Sequence, residues 1–145
     1  MKRLIHIIAV ISTILFAGMQ NLNAQATVRV SWSEESCECT ISGNYYYRVD
    51  IEIIDQCSED HQTVYADFVI VNGPASSVDI PLEYTCLDTS LEPCYLVVAD
   101  VKKYCPDGHG GFTLTCDGKH PGVHVSCNDL MNPNLIIQLS GIVID

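Results

Sequence analysis

The side chains in this chain best suited to chemistry are thiols and imidazoles. Cys105-Pro-Asp-Gly-His109 and Cys116-Asp-Gly-Lys-His120 each place a thiol four residues before a histidine. Thiolate and imidazole are donors that zinc and copper accept. Cys105, His109, Cys116 and His120 are therefore a candidate metal set, with His124 and Cys127 able to join or substitute. The two pairs belong to an 11-residue repeat, Cys-x3-His-x-Gly-apolar-x-apolar-Ser/Thr, and Cys127 opens what would be a third copy. Each copy reads as a turn followed by a short strand, with Asp107-Gly108 and Asp117-Gly118 as turn residues. The competing reading is two turns stapled by disulfides, with His109 and His120 solvated. The redox compartment decides between the two: where thiols oxidise they pair, and no cofactor is then expected.

Other reactive types are weaker candidates. Cys37-Glu38-Cys39 has the form of a vicinal dithiol. Vicinal cysteines more often bond elsewhere, and the flanking Glu34, Glu35 and Glu38 disfavour a thiolate, so each sulfur is expected to find a separate partner. Cys86 and Cys94 flank a turn-like segment and are expected to form a local bridge. Tyr46, Asp60 and His61 are the candidate binding residues: Tyr46 as an outward-facing ring, Asp60-His61 as a carboxylate beside an imidazole. The acidic clusters at 34–38 and 55–61 lack the spacing of a calcium loop and read as solvated surface. There is no Gly-x-Ser-x-Gly, His-Glu-x-x-His, Walker loop or Gly-x-Gly-x-x-Gly, so no catalytic residue and no enzyme is expected.

The elements that must carry these residues repeat with period two. Val28, Val30 and Trp32 share one face of a first strand. Tyr45, Tyr47, Val49, Ile51 and Ile53 alternate with Tyr46, Arg48, Asp50, Glu52 and Ile54 in a second, which puts Tyr45 and Tyr47 in the core. Val64–Val71 is a third, closed by Asn72-Gly73-Pro74. Ser77–Leu82, Tyr95–Tyr104, Phe112–Cys116, Val123–Cys127 and Leu135–Ile144 follow, with Gly141 as a bulge or bend. No long amphipathic helix is expected. Seven or eight short strands indicate an all-β, antiparallel β-sandwich.

The amino terminus is different in kind. Met1-Lys2-Arg3 precedes an apolar run from Leu4 to Gly18 and a small-residue segment at Ala24-Gln25-Ala26, the order of a secretory signal peptide. Residues 1–24 are expected to be removed, leaving 25–145 as one disulfide-rich domain in a secreted or periplasmic location, with no stable membrane insertion. All eight cysteines, at 37, 39, 57, 86, 94, 105, 116 and 127, lie in that domain and are disulfide candidates. No Asn-x-Ser/Thr sequon occurs, which favours a bacterial source. The chain has 7 Lys and Arg against 18 Asp and Glu. Loss of Lys2 and Arg3 moves its formal charge from −11 to −13. That balance excludes nucleic acid as a partner, since phosphate binding needs clustered cations.

Between residues 28 and 104 the landmarks resemble a fibronectin type III or immunoglobulin-like module. Val28-Arg-Val-Ser-Trp32 is similar to that family's early strand with its core Trp, and Tyr45-Tyr46-Tyr47-Arg48-Val49 to the strand that follows. Ser77-Val-Asp-Ile-Pro-Leu82, then Leu91-Glu-Pro-Cys-Tyr95-Leu-Val-Val98, resemble the later strand, Leu-x-Pro turn and Tyr-bearing strand. The resemblance implies a spacer or binder. The expected function is an exported, non-catalytic binding or scaffold module with an acidic surface and a protein or glycan partner. The alternatives are an exported Cys/His metal protein and a small secreted hydrolase or hydrolase inhibitor.

Overall fold

The computed structural model describes residues 25–87 and 91–145. The expected signal peptide, 1–24, lies outside the described residues. Among the described residues, seven strands and one short helix follow in order: β1 (Thr27–Glu34), β2 (Tyr46–Asp55), β3 (Thr63–Asn72), β4 (Ser77–Pro81), β5 (Tyr95–Pro106), β6 (Phe112–Val125), α1 (Cys127–Leu130) and β7 (Ile136–Ile144). They form two sheets, β4-β1-β7 and β3-β2-β5-β6, that enclose one core.

The alternation expected from sequence places that core. Val28, Val30 and Trp32 of β1 and Tyr47, Val49, Ile51 and Ile53 of β2 are buried. The Trp32 and Tyr47 rings meet across the sheets at 5.0 Å, while Tyr45 packs edge-on against Tyr47. In β7 the buried phase runs Ile137, Leu139, then Ile142, Ile144. The slip falls at Gly141, whose φ of 81° accommodates the extra residue, and the register with β1 shifts there.

Five expectations are corrected. The fold is not purely antiparallel: β1 and β7 run parallel, from Thr27 beside Ile136 to Glu34 beside Ile144. The two expected strands at 112–116 and 123–127 are one strand, β6. Asp117-Gly118 lies inside it, because Gly118 serves a close approach and not a turn. A β-carbon there would sit 2.2 Å from the Val143 carbonyl oxygen of β7. Only the first Asp-Gly turns the chain: Gly108 has φ 79°, and the Asp107 carboxylate accepts the His109 and Gly111 N–H groups at 2.8 and 2.9 Å. Those two donors hold the Asp107 carboxyl below its ordinary pKa. Cys127 opens no third copy. It starts α1, capped by Ser126, whose hydroxyl accepts the Asp129 N–H while the Asp129 carboxylate accepts from Ser126 N.

The last correction concerns the cysteines. The bridges are Cys37–Cys116, Cys39–Cys105, Cys57–Cys94 and Cys86–Cys127. The expected Cys86–Cys94 bridge does not form. Gln56 N–H donates to the Cys94 carbonyl at 2.8 Å, which draws the β2–β3 loop and Cys57 onto Cys94 and leaves Cys86 to the start of α1. The Cys-x-Cys pair divides as expected, one sulfur going to β6 and the other to β5. Four intramolecular bridges suit an oxidising, extracellular-type environment.

One inward position of β5 is a cation. Lys103 is 3% exposed, and its Nζ donates to the Glu34 carboxylate and to the Cys37 carbonyl, both at 2.8 Å, while lying 4.4 Å from the Tyr45 ring centre. The Tyr47 hydroxyl donates to the other Glu34 oxygen, and burial together with that carboxylate pushes the phenol well above its ordinary pKa. Replacing Lys103 with Met strands the Cys37 carbonyl and leaves Glu34 without its cation. The expected loss is roughly 2 kcal/mol, moderated because Glu34 is partly solvated. Urea unfolding checks it: the midpoint should fall with an unchanged slope.

Candidate functional site

The outer face of the four-stranded sheet collects groups that the core does not need. Alternation sends Tyr46, Arg48, Asp50 and Glu52 of β2 outward. The register sets Tyr46 against Tyr104, Arg48 against Lys102 and Asp50 against Asp100 of β5. On the far side of β5, Asp100 faces Lys119 and Tyr104 faces Leu114 of β6. On the far side of β2, Asp50 faces Phe68 and Arg48 faces Ile70 of β3.

Two zones result. At one end Tyr46 stacks on Tyr104 at 5.1 Å with planes 10° apart, and Phe112 meets Tyr46 at 5.0 Å. Phe112 and Leu114 are 48% and 45% exposed, so this end is an open aromatic and aliphatic surface. Beside it runs a charged band. Asp50 accepts from Arg48 Nε at 2.7 Å and from Lys102 Nζ at 2.8 Å, and Lys102 also reaches Asp100 at 2.9 Å. The two carboxylates raise the Lys102 pKa and fix it as a cation, which neutralises the facing Asp50 and Asp100. The Arg48 guanidinium lies 4.2 Å over the Phe68 ring. Between the strands is a hollow of about 330 Å³ with apolar walls at Ala66, Phe68 and Val98 and with Glu52 and Lys119 among its polar groups. Asp100 Oδ1 is buried there with no hydrogen-bond partner.

The sequence-derived candidates separate. Tyr46 is in this site, at the centre of the aromatic end. Asp60 and His61 are exposed in the loop at the opposite end of β2; His61 has φ 46°, and the loop is held by the Asp55 carboxylate on Cys57 and Ser58 N–H. The candidate metal set does not assemble. The sulfurs of Cys105 and Cys116 are bound to Cys39 and Cys37, so neither is a thiolate donor. His109 sits in the β5–β6 turn, while His120 is far along β6 opposite Ala99, with Nδ1 accepting the Gly122 N–H at 2.9 Å. The strand rise from Phe112 separates them by roughly 25 Å. Cys57, Glu92 and Cys94 do gather, but those sulfurs too form a disulfide.

Sequence alone does not single out Tyr104, Phe112, Leu114 and Phe68. Their signal is positional: each comes beside Tyr46 or Asp50 only through strand register, which a period-two pattern does not carry. Compared with known protein families, curated proteins and solved structures, the chain matches none of them.

Proposed function

We propose that this chain is an exported, non-catalytic β-sandwich module that holds a protein or glycan on the outer face of its four-stranded sheet. The observation that carries the reading is the open Tyr46–Tyr104–Phe112 cluster beside a charged band in which Arg48, Asp50, Lys102 and Asp100 are ion-paired. Such a surface offers apolar area and ring faces without an unpaired charge at its centre. The segment 1–24 is its signal peptide, and a periplasmic or secreted bacterial location agrees with the four bridges. Three- and four-stranded sheets closing on Trp32 support the immunoglobulin-like or fibronectin-like class, from which the parallel β1–β7 pair departs. The acidic balance favours a basic partner.

The test uses a glycan array and a pull-down from envelope and secreted proteins. Wild type is compared with Tyr46→Ala/Phe112→Ala. The double variant should bind at least about tenfold more weakly while keeping its unfolding midpoint close to wild type. Equal binding by both proteins removes the aromatic end as the site.

A further inference from the structure

The hollow on the outer face carries charges that the ion-paired band does not use. Glu52 faces outward one row beyond that band, on the side away from the aromatic end. Its cross-strand neighbours are apolar, Ala66 of β3 on one side and Val98 of β5 on the other. Lys119 of β6 stands opposite Asp100. Among the described residues, neither the Glu52 carboxylate nor the Lys119 ammonium is in an ion pair. One Asp100 oxygen accepts from Lys102 at 2.9 Å, while Oδ1 has no partner. A small turn about the Asp100 χ2, a broad two-fold torsion, presents Oδ1 to the hollow.

The charged walls are the carboxylates of Asp50, Glu52, Asp67 and Asp100 against the cations Arg48, Lys102 and Lys119. The hollow is therefore one cation short of balance. Asp67 is engaged by the Phe68 N–H at 2.8 Å. The acceptors left over are the Glu52 carboxylate and Asp100 Oδ1. Asp50 stands opposite Asp100 and Glu52 opposite Val98, so Glu52 and Asp100 are diagonal neighbours, roughly 7–8 Å apart at Cα. A guanidinium presents its N–H donors in one plane and has no acceptor, so it can serve two carboxylates that flank it. An ammonium is a compact point charge and spans them less well. The walls at Ala66, Phe68 and Val98 suit the apolar stem of an arginine, and about 330 Å³ has room for one such side chain.

We propose that the hollow receives an arginine side chain of a basic partner protein, with its guanidinium held between Glu52 and Asp100. The inference rests on the reading of this face as a binding surface and narrows the partner to a protein. Charge favours that occupant over a neutral sugar. The chain has a formal charge of −11, and one added cation balances the hollow.

Titration of the folded chain with N-acetyl-arginine methylamide, followed by methyl NMR, tests it. The Ala66 and Val98 methyl signals should move and saturate, with a dissociation constant of about 5 mM. The citrulline analogue, close in shape and neutral, should bind at least about tenfold more weakly. Glu52→Gln should weaken arginine binding at least about threefold, and Lys119→Gln should strengthen it about twofold. Glu52 has no ion pair to lose, so its variant should unfold at the wild-type midpoint. Opposite signs from two substitutions in one hollow separate a charge effect from damage to the fold. Tyr46→Ala/Phe112→Ala should bind the arginine probe as wild type does, so a failed pull-down beside an intact probe site strikes the aromatic end and leaves the hollow standing. Arginine and citrulline analogues that bind alike overturn the proposal. Free arginine that binds at least about tenfold tighter than the blocked residue also overturns it, because the hollow then recognises an amino acid and not a side chain. Blocked lysine that binds as tightly as blocked arginine overturns the two-carboxylate geometry.

Discussion

Cys37→Ala/Cys116→Ala is expected to lose about 4 kcal/mol of stability, the estimate for opening a loop this long. The bridge joins residues 79 apart and ties the segment after β1 to the middle of β6. Both cysteines are nearly buried, at 3% and 4% exposure. The Cys37 carbonyl also holds Lys103, so the bridge positions the acceptor of a buried cation. Cys57→Ala/Cys94→Ala is the comparison. That bridge closes a span of 37 residues, and Cys57 is exposed. Its loss should be milder by about 1 kcal/mol, from the shorter loop and the absence of a cavity at Cys57. Guanidinium unfolding of the two double variants reads both values. Equal losses would mean that neither loop length nor burial governs the contribution of these bridges.

Gly118→Val is expected to cost roughly 3 kcal/mol, at the upper end for overpacking. The added β-carbon would stand 2.2 Å from the Val143 carbonyl oxygen and 2.9 Å from Ile144 Cγ2. Backbone lies on one side of the clash, so side-chain rotation cannot relieve it, and β6 must move off β7. Gly110→Ala is the control. Gly110 has φ 91° with nothing within 4 Å of the added carbon, so its cost is conformational alone, about 1 kcal/mol. Gly118→Ala should exceed it by about 1 kcal/mol or more. If the two alanine variants unfold at the same denaturant concentration, the sheets do not touch at Gly118.

Legibility from the sequence followed the contrast between wet and dry faces. β2 was readable residue by residue because Tyr47, Val49, Ile51 and Ile53 alternate with polar neighbours, and the structure buries those four. Tyr46 was identified as the outward ring by the same rule. β3 carries apolar side chains on both faces, and alternation alone did not reveal that Phe68 and Ile70 remain exposed. The Cys-x3-His repeat misled because its two Asp-Gly pairs are chemically alike and structurally unlike. Gly108 takes a left-handed φ in a turn, while Gly118 is extended and lets two strands approach. Disulfide partners and the parallel pair depend on which distant segments meet. Cys86 and Cys94 are neighbours in sequence, yet the approach of Gln56 to Cys94 decides the pairing.

The parallel pairing of β1 with β7 also sets the timing of folding. The first strand of the sandwich hydrogen-bonds to the last, so β1 has neighbours on both sides only once residues 136–144 are available. Pairings of such sequence separation pay their loop-closure entropy early and gain their contacts late, which makes folding slow for a domain of this size. Until then the chain has no complete core, since Ile137, Leu139, Ile142 and Ile144 of β7 belong to it. A slow folder of this kind stays extended longer, and its refolding rate should fall well below that of a helical domain of the same length.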